Sequence, residues 1–102
     1  MANQIYKNLE MNDIVRLLSI NNIPFEIYIS AYYPNCITVA IPNVDNRELD
    51  VACNPATYGN KIGLLELYRE DGKQFDDTND SVVGWLNSTK CLELIKDYFA
   101  NK

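Results

Sequence analysis

Phe25-Glu26-Ile27-Tyr28-Ile29-Ser30-Ala31-Tyr32-Tyr33-Pro34-Asn35-Cys36-Ile37-Thr38-Val39-Ala40-Ile41 is the stretch that decides the fold class. Phe25, Ile27, Ile29, Ala31 and Tyr33 fall on one side of a period of two, and Glu26, Tyr28, Ser30 and Tyr32 on the other. That period matches the pleat of a half-buried strand. Pro34-Asn35 is a turn signal, after which alternation resumes with Ile37, Val39 and Ile41 inward. Two alternating runs around a short turn predict an antiparallel hairpin.

Working outward, Pro42-Asn43 and Asp45-Asn46 mark a connection to a third strand. There Leu49, Val51 and Cys53 oppose Glu48, Asp50 and Ala52. Asn54-Pro55 and Gly59-Asn60 bound a loop with Tyr58 at its tip. Lys61 to Arg69 reads as a fourth strand, apolar on both sides through Ile62 and Leu64 and through Leu65 and Leu67, with a short helix as the alternative. Upstream of the hairpin, Ile14, Leu17 and Leu18 share a helical face that Met11 can join. Asn12 is the expected N-cap, Asp13 suits the first turn, and Asn21-Asn22 followed by Pro24 closes the helix. At the other end Ser88 is the expected N-cap of a helix whose stripe is Cys91, Leu92, Leu94, Ile95, Tyr98 and Phe99. Val82, Val83, Trp85 and Leu86 are expected to pin the preceding connection onto the core. The expectation is a single α+β domain over residues 1–102: an N-terminal helix, a four-stranded antiparallel sheet and a C-terminal helix. Both helices would pack on the apolar face of the sheet.

Composition bounds the function. The chain has 102 residues, 47% apolar and 23% charged, an ordinary globular balance without low-complexity runs. No apolar run is long enough for a transmembrane helix, and Met1-Ala2-Asn3-Gln4 lacks the pattern of a signal peptide, so a cytoplasmic location is expected. Cys36, Cys53 and Cys91 form no C-x-x-C pair and read as buried, reduced thiols. The glycosylation sequon Asn87-Ser88-Thr89 falls where the helix cap is expected.

The chain contains no histidine, which removes the commonest acid-base group, metal ligand and partner of a Ser or Cys nucleophile. None of its four glycines builds a phosphate-cradling motif. No catalytic activity, cofactor or metal is therefore expected. A calcium loop starting at Asp76 would place Ser81 where glycine is needed and Asn87 where the bidentate Glu is needed.

Charge is concentrated. Glu70, Asp71, Asp76, Asp77 and Asp80, with Lys73 among them, carry −4 of the chain's net −5. A local acidic segment is either a solvated loop or a docking surface for a basic partner. Tyr28 and Tyr32, beside Glu26 and Ser30 and next to Glu48 and Asp50, form a second candidate surface. Tyrosine brings large contact area at little entropic cost, but an acidic surface does not suit nucleic acid directly. Tyr58 is a further candidate contact residue.

Gly84-Trp85-Leu86-Asn87-Ser88 leading into Cys91-Leu92-Glu93-Leu94-Ile95, in a small, acidic, Asn/Asp/Tyr/Ile-rich chain, resembles proteins of phages and mobile elements of low-GC Gram-positive bacteria. The resemblance implies an anti-CRISPR or other anti-defence inhibitor, of the kind that occupies a nucleic-acid-binding groove with an acidic surface. The reading is a non-catalytic protein-binding module docking on a basic surface of a protein. A small-ligand site involving Tyr28, Tyr32 and Arg69, or a self-associating homo-oligomeric subunit, are the alternatives.

Overall fold

A computed structural model of the chain describes residues 8–29, 32–75 and 81–102. Its elements are α1 (Leu9–Ile20), β1 (Glu26–Ile29), β2 (Ile37–Ile41), β3 (Leu49–Ala52), a 3-10 turn (Asn60–Ile62), β4 (Leu65–Arg69), β5 (Val82–Leu86) and α2 (Ser88–Ala100). Among the described residues the sheet has five strands in the order β1-β2-β3-β4-β5, each antiparallel to its sequence neighbour. The hairpin predicted for Phe25 to Ile41 pairs Ile27 with Val39 and Ile29 with Ile37.

The expected four strands become five because Val82–Leu86 is itself a strand. Its pairing steps from Leu67 opposite Val83 to Leu65 opposite Leu86, so β5 carries one residue more than β4 over that interval. A bulge of this kind breaks the period of two, and with it the pattern that marks a strand. The fourth strand is shorter than expected. Asn60–Ile62 forms a 3-10 turn between Gly59 and Gly63, both at positive φ, and Ile62 is 70% exposed rather than inward.

The helix starts also differ. Asn8, not Asn12, caps α1, its Oδ1 accepting from the Met11 N–H at 2.8 Å. Asn22 at φ 58 closes the helix as expected, with the Ile23 N–H donating to the Leu18 carbonyl. Asn87, not Ser88, caps α2 by accepting from the Lys90 N–H. Ser88 is buried and ties the helices together: its N–H donates to Glu10 Oε1 at 2.7 Å and its hydroxyl to Asp13 Oδ2 at 2.8 Å.

One hydrophobic cluster unites Met11, Ile14 and Leu18 of α1 and Cys91 and Ile95 of α2 with Ile37, Val39, Ile41, Leu49, Val51, Leu65 and Leu67. Those strand residues alternate along their strands and so share one side of the pleat. Leu17 is only half-buried. The three cysteines are free thiols, but only Cys91 is buried; Cys36 and Cys53 are half-buried. Burial pushes the Cys91 thiol well above its usual range, which keeps it unreactive.

Candidate functional site

The other side of the pleat carries the polar residues. Cross-strand pairing runs Glu26–Ala40–Asp50–Tyr68–Val82 in one row and Tyr28–Thr38–Ala52–Glu66 in the next. Asp50 thus stands in the middle strand, only 9% exposed, and its Oδ1 has no hydrogen-bond partner among the described residues. Glu70, just past β4, brings its carboxyl within hydrogen-bonding reach of Asp50. Arg47 completes the cluster. Its Nε lies 3.6 Å from Glu70 Oε2, its Nη1 donates to the Tyr28 hydroxyl at 3.0 Å, and its guanidinium sits 5.4 Å over the Tyr28 ring.

Burial, then the shared hydrogen bond with Glu70 and that group's charge, push the Asp50 carboxyl up to about 7, while Arg47 pulls the other way. Burial and the Asp50 charge also raise the Tyr28 hydroxyl. The fold therefore brings together three predicted residues, Tyr28, Asp50 and Glu70. Arg47 was missed, because nothing local in its turn points to a carboxylate twenty-three positions away.

Other predicted residues lie elsewhere. Glu48 does not join Asp50. It precedes β3, accepts from the Tyr98 hydroxyl at 3.0 Å and pairs with Lys102, which holds its carboxyl below the usual range. Asp71 is held by Arg69 through two bonds of 3.1 and 2.8 Å and by the Lys73 N–H, and it too lies below the usual range. Arg69 faces away from Tyr28. It pairs opposite Leu49 and stacks over Tyr98 and Phe75 at 4.9 and 5.6 Å. Tyr32 is 87% exposed and lies beyond the end of β1, so it does not share a strand with Tyr28. Asp76, Asp77 and Asp80, and with them the calcium register, lie outside the described residues. A cavity of about 520 Å³ adjoins Arg69, Lys73, Phe75, Tyr98 and Lys102.

Tyr58 has a partner that sequence reasoning did not select. Its ring stacks on Trp85 with centroids 5.2 Å apart and planes 22° from parallel, and the two residues remain 55% and 61% exposed. Asn54 builds the loop beneath, its Oδ1 accepting from the Ala56 N–H and its carbonyl from the Thr57 N–H. Glu66 Oε2 accepts from the Tyr58 N–H at 2.9 Å. Trp85 takes a left-handed φ of 54, a conformation that bulky residues rarely adopt. Gly84 and Gly59 permit the close approach of loop and strand. Exposed Ile62 and Leu9 flank a direct bond from Asn8 Nδ2 to the Gly63 carbonyl. The signal that was available is Gly84 beside Trp85, since glycine within a strand marks a bulge or a close backbone approach.

Comparison with protein-family models, curated proteins and solved structures finds no match to this chain. No described helix is long and apolar enough to cross a membrane, and no group of three or more potential metal ligands converges among the described residues.

Proposed function

We propose that this chain is a non-catalytic protein-binding module that docks on a basic surface of a partner, with Tyr58 and Trp85 as its apolar anchor. In this reading both helices cover the apolar face of the sheet, and the Tyr28–Asp50–Glu70 side stays available to the partner. The carrying observation is the exposed Trp85, held at φ 54 and stacked on Tyr58. Backbone strain persists only where the surrounding structure enforces it, and Trp and Tyr dominate binding hot spots. The net charge of −5 favours a basic partner and speeds encounter with it. An inhibitor that occupies the nucleic-acid-binding surface of a host defence protein is the most concrete form of this reading.

The test compares wild type with Trp85→Ala in affinity capture from a bacterial lysate, washed at low and at high salt. A basic nucleic-acid-handling protein, held by wild type at low salt, released at high salt and lost with the variant, is the expected result. Equal capture by a folded Trp85→Ala protein would remove the anchor.

A second reading, a small-ligand site, draws on the cavity beside Arg69. Arg69 is already held by Asp71 and by the Gln74 carbonyl, and Lys102 by Glu48, so Lys73 would have to attract an anionic ligand past Asp71 and Asp97. A rise in melting temperature with a nucleotide and metabolite panel would favour it.

A further inference from the structure

We infer that the Asp50–Glu70 pair is a socket for one basic side chain of a protein partner. This rests on the reading of the chain as a binder of basic protein surfaces. It adds a second contact, made by residues other than Trp85 and Tyr58.

Charge around Asp50 is unbalanced at a buried place. Among the described residues the titratable and charged groups around Asp50 are Tyr28 from β1, Tyr68 from β4, Arg47 from the turn before β3, and Glu70. They include one cation, against the two carboxyls of Asp50 and Glu70. Arg47 is already divided between Glu70 and the Tyr28 hydroxyl. Asp50 Oδ1, buried in a residue only 9% exposed, meets no donor among the described residues. With one cation shared among these groups and burial opposing its charge, the Asp50 carboxyl keeps its proton up to about pH 7 unless a further positive charge arrives.

An arriving guanidinium or ammonium supplies that charge and brings several N–H donors. The carboxyl O–H bond breaks, its electron pair stays on the oxygen, and the proton passes to solvent. The Arg47 and Glu70 side chains are 36% and 30% exposed while Asp50 is only 9% exposed, so a basic group approaches the pair from the Glu70 side. The raised Asp50 carboxyl is the expected consequence of the same geometry.

The chain itself provides a clean background. It has no histidine, the side chain whose ordinary pKa centres its charge change in this range. The experiment is calorimetric titration of the full chain with a hexaarginine peptide at pH 6 and pH 8, in two buffers of different ionisation enthalpy. Asp50→Asn and Glu70→Gln serve as variants, their folds checked by circular dichroism.

Wild type is expected to bind about fivefold or more tightly at pH 8 than at pH 6, and to release a fraction of a proton at pH 6 (fivefold is about 1 kcal/mol). The variants are expected to lose both effects. Should either variant unfold, the other carries the comparison. The same pH ratio and proton release in a folded variant would overturn the socket, as would the absence of peptide binding at either pH. Neither result touches the Trp85 anchor, whose own test is capture of a partner by Trp85→Ala.

Discussion

Gly84 lies so close beneath Tyr58 that a Cβ on it would come within 2.2 Å of the Tyr58 Cβ. The contact is between the loop that carries one exposed aromatic and the strand that carries the other. Gly84→Ala must therefore push the loop off β5 or bend the strand. Overpacking of this kind costs about 1–3 kcal/mol. A fall in melting temperature of at least about 5 °C is expected, with a change in the fluorescence of Trp85, the only tryptophan. An unchanged melt and an unchanged emission spectrum would show that the loop does not rest on the strand.

Trp85→Gly separates folding from binding. Glycine adopts φ 54 without strain, and relief of about 1 kcal/mol offsets the lost stacking on Tyr58, worth about 0.5–1.5 kcal/mol. Stability measured by urea unfolding should stay within about 1 kcal/mol of wild type. Partner capture should nevertheless fall as far as in Trp85→Ala. A large loss of stability would make Trp85 a structural residue and weaken its standing as an anchor.

Asp50 makes stability depend on pH in a direction opposite to that of a salt-bridged carboxylate. Its folded value of about 7 lies above the usual 3.8, so the native state binds more protons than the unfolded chain between those values. Stability must then fall as pH rises from about 4 to about 7, by on the order of 3 kcal/mol in all. Below that window the trend reverses. Glu48, held low by Lys102, and Asp71, held low by Arg69, lose their contributions as they protonate. Asp50→Asn should flatten the upper window and leave the lower one in place. Urea unfolding of both proteins at pH 5 and pH 8 measures this, and parallel curves would place the excess proton elsewhere.

The parts of this fold that were legible are those in which local pattern and tertiary environment agree. Ile37, Val39 and Ile41 alternate and are buried, and the hairpin around Pro34-Asn35 follows from that alone. Alternation also placed Tyr28 and Asp50 on the polar side of the pleat. β5 was hidden because its bulge puts Trp85 and Leu86 out of phase with Val82 and Val83. Glu48 obeys the same alternation as Asp50, but it precedes the strand, and the end of α2 draws it away. Arg47 and Glu70 meet through the β3–β4 pairing, where the Glu70 N–H donates to the Glu48 carbonyl, a link between distant positions that no local window contains.

Asn8 shows the same principle at a helix start, and it yields a graded prediction. Asn8 and Asn12 are equally good caps by residue type, but it is Asn8 that takes the cap, and it joins a second element as well: its Nδ2 donates to the Gly63 carbonyl at 2.7 Å while its Oδ1 accepts from the Met11 N–H. One amide side chain therefore caps α1 and anchors the end of the 3-10 turn beside exposed Ile62. Asn8→Asp keeps the acceptor and loses the donor, setting a carboxylate against the Gly63 carbonyl. Asn8→Ala loses both of these partners and the weaker contact from Nδ2 to Cys53 Sγ at 3.5 Å. The cap is worth about 0.5–2 kcal/mol and the tether about 0.5–1.5 kcal/mol. The two variants should therefore both be destabilised, and to different extents. Hydrogen exchange tells the two functions apart. In Asn8→Asp the Met11 amide should stay protected, while the Leu64 amide, which donates to the Gly59 carbonyl across the 3-10 turn, should exchange faster. Equal loss of protection at both amides in Asn8→Asp would mean that the cap and the tether act as one unit, and that the position of Ile62 cannot be altered without also loosening α1.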